Sequence, residues 1–424
     1  MIHIFLFISL LVIGVPIAFV LGVASLFFFA LEGGSLIIFP QRMFVGINNS
    51  VLMCIPFFIL AGNIMNAGGI TKEIMEFAKC LVGWIRGSLG MVSIVASMIF
   101  AGITGSAQAD AAAIGSVLLP AMKEEGYDED FSAALVTAAG VIGPIIPPSI
   151  MFIIYGVVGG VSIGALFAGG LIPGVIIGLS LMIMTYYYAR KRKYPKSELQ
   201  SARNIFVAFL KAIPALMMPV IIVGSILSGI ATATEAAAVS VLYSLIVGFF
   251  VYRKLRLSDL PKIIMESANL TTSIMIIIST AMIFAWLLTY ANVPRLLTSY
   301  LLSISSNKFL FLFFVNILFL FIGTWMDPTA AMIVFVPVLL PAANAFGIDP
   351  VHFGLVVAIN LVVGLATPPI GYLLYTMVII SGVKVEKLSR ALLPFLIIEV
   401  LVLFLVTYVP WFGLALPRYF GYVK

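Results

Sequence analysis

Apolar positions fill this chain in runs longer than the roughly 20 residues an α-helix needs to cross a bilayer, with polar residues gathered in short clusters between them. Barrel strands would be shorter and would alternate. Full crossings are predicted near 2–30, 50–66, 131–156, 164–189, 213–230, 235–252, 266–288, 351–375 and 391–412. Two further stretches, 88–121 and 300–342, are apolar but broken midway by a polar knot containing glycine. That pattern predicts re-entrant hairpins, each entering and leaving on one side. The segment 68–87 mixes Ile70, Ile74, Phe77, Leu81 and Trp84 with charges at helical spacing, which predicts a helix lying along the interface.

Composition agrees: of 424 residues 62% are hydrophobic and 9% charged, with a mean hydropathy of +1.21. An all-α, multi-pass integral membrane protein is expected. The opening residues lack a basic start and a small-residue cleavage site, so they read as a first span and not a removed signal. Cys54 and Cys80 are the only cysteines and suggest neither a disulfide framework nor a metal cluster. The net charge of +6 is a matter of topology, not of nucleic-acid binding. With the N-terminus cytoplasmic and the C-terminus periplasmic, 18 of the 23 Lys and Arg fall on the cytoplasmic side, Arg190 to Lys193 among them. Arg42, Arg295, Lys308, Arg418 and Lys424 fall on the other, as the positive-inside rule requires.

The chain also repeats itself at an offset of 221 residues. Gly102 matches Gly323, the VLLPA of 117–121 matches that of 338–342, Gly143 matches Gly364, and Pro147-Pro148 matches Pro368-Pro369. An odd number of crossings separates the copies, so the second lies upside down in the membrane. Inverted repeats around a midplane site mark secondary transporters. The expected organisation is a first repeat at 1–189, a basic loop and connecting span at 190–230, and a second repeat at 231–424. The first carries the interfacial arm 68–87, hairpin 88–121 and broken span 131–156; the second carries hairpin 300–342 and broken span 351–375.

Irregular backbone at membrane depth is tolerated only where protein buries it or where it lines a cavity, so the knots are candidate binding sites. In GITGSAQADAAAIG, 102–115, Ser106 is placed to cap the returning helix, with Asp110 in its first turn near the positive end of the helix dipole. In FIGTWMDPTAAMIVFVPVLLP, 321–341, Asp327 is expected in the equivalent position, with Pro328 after it. Both acids are also explained simply as helix-start residues. The broken spans carry Pro144, Pro147 and Pro148 in one half and Pro368 and Pro369 in the other, and each proline frees a carbonyl upstream. A hydroxyl-bearing tip facing freed carbonyls is a hard-oxygen cage suited to Na⁺, and two halves imply two cages. Backbone oxygens around Gly102, Thr104, Gly140, Gly143 and Pro144 form one expected cage, and those around Gly323, Thr324, Asp327, Gly364 and Thr367 the other. The hydroxyls of Thr104, Ser106 and Thr367 would complete the shells. An organic anion is expected at the first tip, by Thr104, Ser106 and Asp110.

The first knot, the following VLLPAMKEEGYDEDFSAALVTAAGVIGPIIPPSI of 117–150 and the early QRMFVGINNSVLMCIPFFILAG of 41–62 together resemble the large membrane subunit of tripartite ATP-independent periplasmic (TRAP) transporters. The likeness spans nearly the whole chain. It implies a sodium-driven, elevator-type importer of organic acids in the bacterial inner membrane, C4-dicarboxylates and sialic acid being family substrates. It also implies a periplasmic substrate-binding protein and a small four-span membrane subunit, expected here as a separate chain. The rival readings are a self-sufficient sodium/anion symporter, a passive pore and an intramembrane enzyme. The last finds no support in His3 and His352, both near span ends, and no HExxH, GxSxG or P-loop occurs. His352 is expected at a loop edge on the far side, and no Lys or Arg lies in the predicted core.

Overall fold

The structure, a computed structural model, describes residues 6, 7, 9–11, 13–31 and 35–423. His3, Lys424 and parts of the first predicted span lie outside the described residues. Among them the elements are helices, and no strand occurs. The first copy runs α1 (Ile17–Leu31), α2 (Ile38–Ile47), α3 (Cys54–Ala67), α4 (Ile70–Val82), α5 (Ser88–Thr104), α6 (Ala107–Glu124), α7 (Glu129–Gly140), α8 (Ile150–Gly159) and α9 (Ile163–Lys191). After the connecting helix α10 (Ala202–Leu227) come α11 (Ala233–Ile246), α12 (Leu260–Tyr290), α13 (Val293–Ile304), α14 (Lys308–Gly323), α15 (Pro328–Ala345), α16 (Pro350–Ala366), α17 (Tyr372–Ser381), α18 (Val385–Tyr408) and α19 (Trp411–Tyr419). The 221-residue offset holds in the backbone: α6 and α15 start and stop in register, and α7 and α16 start in register. Seven helical stretches among the described residues are long and apolar enough to cross a bilayer.

Local chemistry sets the helix starts. Ser106 and Ser149 accept from the backbone N–H groups of Ala109 (3.4 Å) and Phe152 (3.3 Å). Asp327 and Asp349 do the same for Ala330 (3.1 Å) and Val351 (2.8 Å), each followed by proline at the first helical position, where no donor is lost.

Several boundaries differ from the expectation. The second hairpin runs from Lys308 to Ala345, because Ser305–Asn307 end one helix and Asn307 caps the next. Residues 300–304 therefore belong to α13, an amphipathic helix that occupies in the second copy the place of the arm helix α4 in the first. The connecting helix begins at Ala202, capped by Ser201, so only about 192–201 of the basic segment is loop. The last crossing stops at Tyr408, and Pro410 opens the separate helix α19. In the arm, Ile70, Ile74 and Phe77 are buried while Leu81 and Trp84 stay exposed.

The two copies interlock. The returning helix of each hairpin packs against the second half of the other copy's broken span, α6 on α17 and α15 on α8. Gly115 lies beside Met377 and Ile380, and Gly159 beside Leu340. At the end carrying Arg192, the Tyr194 hydroxyl donates to Asp128 at 2.7 Å and Arg192 pairs with the same carboxylate. Tyr194 first and Arg192 second hold that carboxyl below its ordinary range. The loop after α9 is thereby tied to the start of α7.

Inside the second copy, Asn360 donates to the Asn316 side-chain oxygen at 2.7 Å, and the Asn316 amide donates to the Thr407 hydroxyl at 3.2 Å. These fully buried groups pin α16, α14 and α18 together. Replacing one member of a buried polar set leaves its partners unsatisfied, at a cost of about 1–3 kcal/mol. Asn316→Ala is expected to lower the unfolding free energy of the detergent-solubilised protein by that amount, read as a lower denaturant midpoint, while an exposed change such as Asn204→Ala leaves the midpoint in place; equal midpoints for Asn316→Ala and wild type would remove the network from the stability account.

Candidate functional site

The first hairpin turns at Gly105, whose φ of 60° ends α5 in the left-handed region that glycine adopts without a side-chain clash. The turn folds Thr104 back so that its hydroxyl donates to Asp110 Oδ1, while the Ser106 N–H donates to Thr104 Oγ1 at 3.3 Å. Asp110 is fully buried, and its second oxygen, Oδ2, has no hydrogen-bond partner among the described residues. Directly opposite lies the broken span. A β-carbon on Gly143 would sit 2.6 Å from Asp110 Oδ2, and one on Gly105 would fall on the Pro148 carbonyl oxygen. A β-carbon on Gly140 would also crowd the returning helix, 3.1 Å from the Ala111 β-carbon and 3.2 Å from the Ala107 carbonyl oxygen. A β-carbon on Gly102 would run into Pro219 of the connecting helix and lie 3.8 Å from the Pro147 carbonyl oxygen.

The break supplies acceptors. The Pro144 carbonyl takes the Ser149 hydroxyl, so of the expected carbonyl ligands it is already engaged. Among the described residues no donor is hydrogen-bonded to the carbonyls of Gly143, Ile145, Ile146 or Pro147, all of them buried. A bilayer offers these groups no water, so their lone pairs are a standing demand for a positive partner.

The second hairpin meets its own broken span through glycine on glycine. A β-carbon on Gly364 would lie 2.6 Å from the Gly323 α-carbon. Thr324 and Thr367 turn their hydroxyl protons to carbonyls of their own helices, Phe321 at 2.8 Å and Val363 at 2.9 Å, leaving oxygen lone pairs free. The Thr367 carbonyl accepts from the Gly371 N–H at 3.2 Å. Both proline pairs, Pro147-Pro148 and Pro368-Pro369, are joined by cis peptide bonds.

The two acids expected to be equivalent are not. At the 221-residue offset Asp327 stands over Ser106, as an exposed helix cap, and the counterpart of Asp110 is Ala331. One site is closed and carries a carboxylate, whereas the other is open and capped. No Lys or Arg is buried among the described residues, and no cluster of three or more His, Cys, Asp or Glu forms there. The donor set is hydroxyl, carbonyl and one carboxylate, all hard oxygen.

Two buried ionisable groups escaped the sequence reading. His352 is not a loop-edge residue: it is 2% exposed within α16, where its Nε2 lies 3.1 Å from the Thr407 carbonyl oxygen. It occupies the third position of a helix capped by Asp349, so proximity to a predicted span end did not mean exposure. Glu399 is fully buried in α18 with neither oxygen partnered among the described residues. An acid standing alone in the otherwise uncharged run 391–408 was the available signal.

This arrangement has known relatives. The profile of a family described as the tripartite ATP-independent periplasmic transporter, DctM component, matches residues 4–412. The chain belongs to that family. It is 42% identical to the sialic acid TRAP transporter large permease protein SiaM of Vibrio cholerae, over 99% of each chain. It is 40% identical to the C4-dicarboxylate TRAP transporter large permease protein DctM of Pseudomonas aeruginosa, over 90% of this chain and 89% of the relative. With the isethionate TRAP transporter permease protein DctMQ of Oleidesulfovibrio alaskensis it shares 41% identity, this chain spanning 64% of that protein. In fold it is similar to the YdaH transporter of Alcanivorax borkumensis, with a TM-score of 0.60 at 13% identity, covering 89% of this chain and 90% of that one. The protein is thus a multi-pass TRAP transporter large permease and not an enzyme.

The Gly143–Asp110 contact generates a measurable consequence. A methyl group forced against a carboxylate in a packed interior costs about 1–3 kcal/mol. Gly143→Ala is expected to lose that much stability in wild type and less than half of it in an Asp110→Ala background; a cost that adds independently of Asp110 would place the clash elsewhere.

Proposed function

We propose that this permease imports a small organic acid, of the sialic acid or C4-dicarboxylate class, using the sodium gradient across the bacterial inner membrane. A periplasmic binding protein delivers the acid, and a small four-span membrane subunit completes the transporter. The N-terminus is cytoplasmic and the C-terminus periplasmic. The residues bearing the hairpins and broken spans, 88–189 and 308–408, move as an elevator against the remaining helices, within the division 1–189, 190–230 and 231–424. The observation that carries this reading is the closed hairpin tip. The partnerless Asp110 Oδ2 lies against Gly143 of the break, the carbonyls of Gly143, Ile146 and Pro147 accept from no donor among the described residues, and no Lys or Arg is buried there.

In this reading Na⁺ is cargo. The oxygens around Gly102, Thr104, Gly140 and Gly143 receive one ion, and those around Gly323, Thr324, Gly364 and Thr367 the other. Thr104 holds one Asp110 oxygen, so the partnerless oxygen is the one presented to the ion. A bare carboxylate repels an anionic substrate; Asp110 therefore serves the sodium side of the tip, and Ser106 the substrate side. Two sodium ions with one monoanion carry one net positive charge inward per cycle, and a 100 mV inside-negative potential then favours accumulation by about 2.3 kcal/mol. With a dianion the two charges cancel.

The test is uptake into vesicles holding the permease and its small partner, with binding protein and labelled acid supplied outside. Thr104→Ala and Thr367→Ala are each expected to raise the sodium concentration for half-maximal uptake several-fold; unchanged sodium affinity and cooperativity in both would overturn the assignment. At a fixed sodium gradient, an inside-negative potassium–valinomycin potential is expected to accelerate uptake of a monoanion, and voltage-independent uptake of that monoanion would rule out two coupled ions.

A further inference from the structure

Away from the hairpins, a second polar concavity lies between the arm helix α4 and the first three turns of the connecting helix α10. It is a cleft of about 370 Å³ lined by Glu76, Lys79 and Cys80 from α4 and, among others, by Arg203, Asn204 and Lys211 along one face of α10. Phe77 and Phe209, with ring centroids 5.7 Å apart, hold the two helices together beside it. Glu76 pairs with Lys72 at 3.8 Å, whereas Lys79, Arg203 and Lys211 take part in none of the ion pairs among the described residues. Three unpaired cations therefore face one cleft at the end of the molecule where basic residues concentrate. The α10 N-terminus, capped by Ser201, adds its positive dipole end.

What continues from the cleft is apolar. Val207, Leu210 and Met217 are exposed along one stripe of α10, and the most apolar window of this helix is only 22% buried, the smallest share among the seven candidate spans. A ligand with an anionic head and hydrocarbon tails matches both parts at once: the head enters the cationic cleft while the tails lie on the exposed apolar face. We infer that the cleft between α4 and α10 is a binding site for the phosphate headgroup of an anionic phospholipid, seating a lipid between the arm and the connecting helix. Because the cleft lies outside both cages, this site is independent of the sodium assignment.

The test is native mass spectrometry of the full-length permease in neutral detergent, titrated separately with phosphatidylglycerol, phosphatidylcholine and inorganic phosphate. Wild type is expected to retain phosphatidylglycerol in preference to phosphatidylcholine. With each basic side chain contributing a several-fold attraction, the triple variant Lys79→Gln, Arg203→Gln, Lys211→Gln is expected to bind phosphatidylglycerol on the order of a hundredfold more weakly. The charge-preserving Arg203→Lys keeps most of the binding, and so does the distant triple variant Lys384→Gln, Lys387→Gln, Arg390→Gln. Equal retention of the two lipids, or undiminished phosphatidylglycerol binding by the first triple variant, overturns the proposal. Inorganic phosphate held as tightly as the lipid makes the cleft a site for free anions, and loss of the lipid when the small membrane subunit is added assigns it to a protein interface; either result also overturns it.

Discussion

A peptide group stripped of its partner cannot be left facing hydrocarbon, and the architecture of this permease follows from that constraint. Wherever a helix stops at membrane depth, something else must meet the exposed groups. Here one interruption meets another. The tip at Gly105 and Ser106 lies on the break at Gly143–Pro148, and the last turn of α14 at Gly323 lies on α16 at Gly364, just before the second break. Absence of side chains makes the approach possible, because a β-carbon at Gly143 or Gly364 would occupy the space the other segment needs. Serine and aspartate caps satisfy the donors at the restarted helices, but they leave carbonyls over in the first break.

The duplicated plan does not produce duplicated chemistry. In the first copy a carboxylate reaches the tip from one turn inside the returning helix and is closed over by the broken span. In the second the carboxylate is moved to the cap itself and faces outward, with alanine where the first copy has Asp110. The scaffold diverges too, since α12 is one continuous 31-residue helix where the first copy has α2 and α3 with an interruption between them. An acid is thus enclosed at one of two otherwise comparable junctions and turned outward at the other.

Much of this was legible in the sequence because breaks in apolar runs are loud. Ser106 as a cap, the paired prolines and the matched glycines all announce backbone that leaves the helix, and these residues are the ones the fold brings together. Tertiary partners were silent. Nothing in the spacing of α13 separates it from the hairpin that follows except the short Ser305–Asn307 break, so the second arm was absorbed into hairpin 300–342. The basic residues up to Lys211 suggested a loop, yet exposed Arg and Lys are good helix formers and Ser201 starts the helix among them. Register misled at Asp327, where matching by residue type overrode the 221-residue offset. The burial of His352 and Glu399 depends on which helices pack over them, and one apolar run looks much like another.

The crosswise seating of α6 on α17 and α15 on α8 bears on how such a molecule can come into being. A half-length ancestor made of one copy would present a returning helix with no foreign half-span to cover it, unless a second molecule inserted upside down supplied one. Assembly of the cores is therefore a dimerisation carried out within a single polypeptide, and α10 is the tether that lets both orientations be encoded in one gene. During synthesis the first copy must wait in the membrane with its returning helix unclad until the chain has emerged at least to Ser381.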